Sequence, residues 1–154
     1  MYSEQDYQDI SQQLKERLIV LGIPAALLLA GIVLSVVFRV EWLTVVLTVA
    51  EGCYCIFAYH VLLWPIIAYR RHLDDVLHGR VRTLKGAFKE MEDDAVLREG
   101  VMYYPMMLNV GKMEDPEDDR LLYYDANLPR PDWQPGEMLT VTVHDKAVGA
   151  WVRE

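Results

Sequence analysis

Residues 18–38 read LIVLGIPAALLLAGIVLSVVF, 21 consecutive positions without a charged side chain. As an α-helix rising about 1.5 Å per residue, this run is roughly 31 Å long, close to the bilayer hydrocarbon thickness of about 30 Å. A second run, residues 43–69, carries Glu51 and His60 and is otherwise largely apolar or aromatic. It is longer than a crossing needs, so it is expected to tilt or to emerge near Pro65. In a chain of 154 residues no other part is large enough to wrap two such helices as a soluble core. The two runs therefore predict a membrane α-helical hairpin. Lys15 and Arg17 precede the first run as a leader's basic region would. The apolar stretch, however, exceeds the roughly 7–15 residues of a leader core, and a retained helix is expected.

Charge sets the expected orientation. The net charge of −8 conceals an asymmetry. From Arg70 to Lys89 six basic residues stand against Asp74 and Asp75, whereas from Glu90 onward fifteen acidic residues face six basic ones. A basic collar after a membrane helix favours the cytoplasmic side. Lys15 and Arg17 repeat that bias before the first helix, and only Arg39–Trp42 connect the two helices. The expectation is an integral protein of a plasma or inner membrane with both termini cytoplasmic. Arg70, Arg71, Arg80 and Arg82 would contact lipid headgroups, and Trp42, Trp64 and Tyr69 would lie near the interfaces.

The resulting division is a cytoplasmic segment 1–17, membrane helices 18–38 and 43–69 joined by an external turn 39–42, a basic helix end 70–79, and a small β-rich domain 80–154. Gly79 is a plausible helix stop. Residues 81–91 fit helical spacing at Val81, Leu84, Phe88 and Met91, but Gly86 interrupts it, and the alternation of Leu84, Gly86 and Phe88 favours a strand. Alternation at Met102, Tyr104, Met106, Leu108 and Val110 predicts a further strand, which Pro105 should confine to an edge or a bulge. A strand at Arg120–Asp125, a loop at Pro129–Gly136 and a hairpin of Met138–Val143 with Ala147–Val152 complete the pattern. Several short strands over some 70 residues suggest an SH3-like or OB-like barrel, or a meander.

Within the membrane the polar positions invite a functional reading, because ionisable groups there are costly. At 100° per residue Thr44, Thr48, Cys55 and Ala58 fall within about 60° of Glu51, a polar and small stripe that calls for a protein partner or a wet cavity. Counting from the turn, Glu51 should come level with Ala30 and Gly31 of the first helix. Gly22, Ala26 and Ala30 form a small-residue ladder suited to helix packing. His60 points about 180° from Glu51 and should lie near Val20–Pro24, where Pro24 leaves the Val20 carbonyl free. At most one of the two can face the hairpin partner, so the other requires a second copy or another membrane protein. Glu51 fits either a packing hydrogen bond or an ion or proton pathway; His60 fits a neutral imidazole on a carbonyl.

No phosphate loop, dinucleotide fingerprint or nucleophile elbow occurs. The four histidines lack zinc spacing, Cys53 and Cys55 point apart on one helix, and neither metal nor other cofactor is expected. The charged run 114–119 lacks the glycine and spacing of a calcium loop and reads as a solvated face. An acidic tail argues against nucleic acid. The sequence thus predicts a non-enzymatic, self-associating or accessory membrane subunit. The alternative is an oligomeric channel lined by Glu51. An enzyme would need Asp125, His144 or Asp145 gathered in a cleft.

Overall fold

The structure, a computed structural model, describes residues 2–112 and 115–154. It divides into two compact units. One is residues Gln8–Ile67; the other joins the N-terminal residues through Tyr7 to Ala68–Glu154. Helix α1 runs Glu4–Val37, α2 Glu41–Phe57 and α3 Trp64–His78, with a π-helical segment Ala58–Leu63 between the last two. Both Glu4–Val37 and the continuous Glu41–His78 are long and apolar enough to span a membrane.

In the helical unit, α1 ends by winding one residue left-handed. Arg39 has φ 57°, its N–H donates to the Val36 carbonyl and that of Val40 to the Ser35 carbonyl. This is a Schellman stop with arginine where glycine is usual. The stop lets α2 begin at Glu41, so the connection is shorter than 39–42. Three contacts then set the register. The Ser35 and Thr44 hydroxyls lie 2.8 Å apart, a Cβ on Gly31 would meet Leu47 Cδ1 at 3.3 Å, and the Tyr54 hydroxyl donates to the Leu21 carbonyl at 2.8 Å. The π-helical turn precedes Pro65, which has no N–H for the Val61 carbonyl and whose ring would clash with it. Widening the backbone to i→i+5 bonding is one way around that conflict.

The other unit is built on six strands: β1 Val81–Met91, β2 Val96–Arg98, β3 Val101–Asn109, β4 Asp119–Asp125, β5 Met138–His144 and β6 Ala147–Arg153. Residues 81–91 are a strand, as Gly86 suggested. β1 pairs with β5 along Val81–Ala87 and with β3 along Ala87–Met91, bending at a bulge between Phe88 and Glu90. With β5–β6, the parallel contact Tyr123↔Ala147 between β4 and β6, and β3–β4, this closes a five-stranded barrel, and short β2 extends it beyond β3. A meander would pair only consecutive strands; the β1–β5 and β4–β6 pairings rule that arrangement out.

Pro105 does not put β3 on an edge. β3 has β4 on one side from Tyr103 to Asn109; on the other side its partner changes from β2, opposite Val101–Tyr103, to β1, opposite Met106–Asn109. Pro105 falls at the change, where a missing N–H breaks no ladder bond, and its carbonyl accepts from Glu92 N–H. Alternate residues Leu139, Val141 and Val143 of β5 point inward onto Phe88, Met106, Leu108, Leu122, Tyr124 and Val148. Trp133, from the β4–β5 loop, plugs this core against Tyr124 and Trp151 in edge-to-face contacts at 5.6 and 5.0 Å. On the barrel's outer surface Val101 and Tyr103 pack against Ala68 and Tyr69 of α3. That helix buries Ala68, His72, Leu73 and Val76, the i, i+4, i+5, i+8 stripe of an amphipathic helix.

Candidate functional site

Among the described residues the buried polar side chains are Ser35, His72, Asn109 and Asp125. His72 and Asp125 belong to one network. Asp125, fully buried, closes β4 and begins an Asx turn, its Oδ1 accepting from Asn127 N–H at 2.8 Å and Asn127 Nδ2 at 2.9 Å. Its Oδ2 accepts from the hydroxyls of Tyr2 at 2.8 Å and Tyr69 at 2.9 Å. Four donors fill the capacity of a carboxylate.

The hydrogen-bond directions follow from the carboxylate outward. The Tyr2 hydroxyl spends its proton on Asp125, so toward His72 Nε2, 3.1 Å away, it accepts. His72 Nε2 therefore carries a hydrogen, and in a neutral ring Nδ1 is left to accept from the Tyr103 hydroxyl at 2.9 Å. Tyr103, His72, Tyr2 and Asp125 form a one-directional chain with every polar atom satisfied. Burial lowers the His72 imidazole from its usual value, outweighing the Asp125 and Asp75 carboxylates that pull the other way; the His144 ring adds to the lowering. Burial, and then the Asp125 charge, push the Tyr2 and Tyr103 phenols well above the ordinary tyrosine range. The arrangement keeps one negative charge and neutral partners locked together.

The remaining residues named from sequence fall in both units. Glu51 is half-buried on the face that carries Leu47 and Tyr54 of α2 and Ala58 at the start of the π-helical segment, so it is the polar group turned to the hairpin partner. Cys55 Sγ donates to its Oε1 at 3.4 Å, while Oε2 is enclosed with no partner. Thr48 donates to the Thr44 carbonyl and is exposed. The register differs from the expectation: interpolating between Gly31–Leu47 and Tyr54–Leu21 brings Glu51 level with about Ala25 and Ala26, one helical turn from Ala30 and Gly31. The cause is the Schellman stop, which moves the turn toward the N-terminus.

The ladder of Gly22, Ala26 and Ala30 does not pack on α2. All three are exposed, and a Cβ on Gly22 would meet nothing; Leu21, Ala25, Leu28, Gly31 and Ser35 supply the contact stripe instead. His60 is exposed as well and stacks edge-on with Tyr59 at 5.1 Å. No bond joins His60 to the Val20 carbonyl that Pro24 leaves free; the polar contact between the helices here is made by Tyr54, which donates to the neighbouring Leu21 carbonyl. Arg71, Arg80 and Arg82 are exposed, whereas Arg70 donates to the Tyr7 hydroxyl at 3.0 Å and lies over its ring. Of the three residues an enzyme would have gathered, Asp125 is sealed in the network. His144 lies 3.0 Å from the Arg80 carbonyl through Nδ1, and Asp145 turns the β5–β6 hairpin at φ 52°. In the charged run, Asp115 caps the short helix Pro116–Asp118; Glu114 lies outside the described residues.

Sequence reading missed Tyr2, Tyr69, His72, Tyr103 and Asn127. The Asp-x-Asn spacing at 125–127 is a local turn signal that was available. Nothing local links Tyr2 to Asp125, 123 positions away. No protein-family model, no curated protein and no solved structure matches the chain.

Proposed function

We propose that this chain is a membrane-anchored, non-enzymatic accessory subunit whose helical hairpin crosses a bilayer and whose barrel presents a binding surface on the cytoplasmic side. The observation that carries the non-catalytic reading is the saturation of the Asp125 network. Its carboxylate, imidazole and phenols spend their hydrogen bonds on each other, which leaves none of these groups free to act as base or nucleophile. Same-side termini are supported by the Tyr2–Asp125 bond, since it holds the N-terminal residues to the unit that follows α3. The basic residues around that unit's start favour the cytoplasm. Leaving out β2, the barrel strands run 1-2-3-5-4-1, the order of an OB-type barrel, a fold that serves many binding modules.

Self-association is part of the reading. The exposed Gly22, Ala26 and Ala30 on α1 and the exposed His60 of the π-helical segment are groups a second copy would cover. Native mass spectrometry of the nanodisc-embedded protein tests this: a discrete oligomer is expected, and a strict monomer at all protein-to-lipid ratios refutes it.

A second reading, an ion or proton pathway, draws on one observation, the enclosed and unpartnered Glu51 Oε2. Glu51→Gln in proteoliposomes separates the two. Flux lost with assembly intact favours conduction, and absence of flux in the wild type removes it.

A further inference from the structure

We propose that Tyr2, His72 and Asp125 form a pH-sensitive latch, which holds the N-terminal segment on the barrel while His72 is neutral and lets it go when His72 takes up a proton. The segment concerned is residues 2–7, and its seat is wholly within the barrel unit.

The hydrogen-bond directions make the network intolerant of a second proton on His72. Tyr2 can only accept from Nε2, because its proton is committed to Asp125. Nδ1 must then remain a bare acceptor for Tyr103, whose hydroxyl has that imidazole as its partner. Adding a proton at Nδ1 sets N–H against O–H. Tyr103 would have to turn its hydrogen away, into a site that is 7% exposed. The cation would also be buried, since His72 is 8% exposed and walled by Tyr69 and Asp75 of α3, Tyr103 of β3, Asp125 of β4 and His144 of β5. Asp125 and Asp75 favour the cation and His144 opposes it; burial is the larger effect.

The cheapest relief is to uncover His72, and Tyr2 is the part of its cover that can leave. The Tyr2 ring stands edge-on over the imidazole at 5.6 Å. It is carried by residues that precede α1 and belong to no strand of the barrel, so it can leave without breaking a ladder. β3 and β4 cannot withdraw without opening the barrel. Other contacts also hold the segment. Tyr7 accepts from Arg70 and packs edge-on against the His78 ring at 5.9 Å, and Glu4 lies 3.0 Å from His78 Nε2. The side chains of the Glu4–His78 pair are 51% and 63% exposed, where such pairs contribute little. His78 also bonds Asp74 at 3.0 Å. Opening the latch would free Tyr2 and leave the barrel and α3 in place.

The test uses the full chain in nanodiscs with a nitroxide at Gln5→Cys, in a background carrying Cys53→Ala and Cys55→Ala. Spectra are recorded from about pH 8 to about pH 5, the range a histidine switch covers. The expected result is an immobilised label at the upper end and a dominant mobile component at the lower end, reversible on return. His72→Gln should abolish the pH dependence, and His78→Gln should leave it in place. Tyr2→Phe should mobilise the label at the upper end while the barrel's thermal unfolding persists. A wild-type label unchanged across the range overturns the latch. So does a transition that survives His72→Gln, one that vanishes with His78→Gln, or a Tyr2→Phe label as immobile as the wild type's.

Discussion

Gly86 of β1 lies so close to Asn109 of β3 that a Cβ there would fall 2.3 Å from the Asn109 carbonyl oxygen. This is where β1 passes from its β5 partner to its β3 partner and the barrel closes. Gly86→Ala should therefore open the closure or displace β3, at about 1–3 kcal/mol, the range of overpacking in a tight core. Denaturant unfolding followed by tryptophan fluorescence measures it. A variant as stable as the wild type would mean that the two backbones are not in this contact.

Asp125 should be the most sensitive polar position of the barrel unit. Asp125→Ala strands the hydroxyls of Tyr2 and Tyr69 and both donors of Asn127, at about 3–5 kcal/mol, whereas Tyr69→Phe removes one donor of four at about 1–2 kcal/mol. The ordering of the two losses is the checkable content, by chemical denaturation.

Stability against pH should form a dome. His72 has its folded value lowered by burial, so the folded state binds fewer protons than the unfolded one. Its contribution is complete above the ordinary value of 6.5 and is lost as pH falls below it, levelling off once the folded imidazole titrates. The phenols of Tyr2 and Tyr103 are displaced upward by burial, so theirs is complete below the ordinary value of 10.0 and is lost as pH rises beyond it. Unfolding midpoints across pH should show both limbs, and His72→Gln should flatten the acid one. An unchanged acid limb would assign it to another group.

The Tyr54 hydroxyl is the long-range polar tie of the hairpin, reaching the Leu21 carbonyl across 33 positions. Tyr54→Phe should weaken α1–α2 association by about 0.6–2 kcal/mol, the usual worth of such bonds in a bilayer. Steric trapping or double electron–electron resonance between labelled helices reads the change.

Trp133→Ala should cost about 3–5 kcal/mol, because it uncorks the core against Phe88, Tyr124 and Trp151. Loss of the near-ultraviolet dichroism of the aromatic cluster would accompany it.

By itself the sequence determined the elements whose signals are local. The uncharged run 18–38 can do little except form a long apolar helix, and the alternation in Met138–Val143 and Ala147–Val152 specifies a hairpin through the period of the strand. It also determined that Glu51 and His60 cannot share a face, since nine residues of helix turn them to opposite sides. Tertiary structure decided what depends on register. With the left-handed stop at Arg39, α1 and α2 meet about a turn away from the simple count, with the Leu21 carbonyl bonded by Tyr54, and the rotation of α1 turns Gly22, Ala26 and Ala30 outward. Barrel closure at Gly86 made β3 an interior strand despite Pro105. Only that closure, with α3 laid on it, brought Tyr69, His72, Tyr103 and Asp125 together and made a seat for Tyr2. Periodicity tells which way a side chain points from its own element; what it meets there is set by long-range pairing, which no local pattern records.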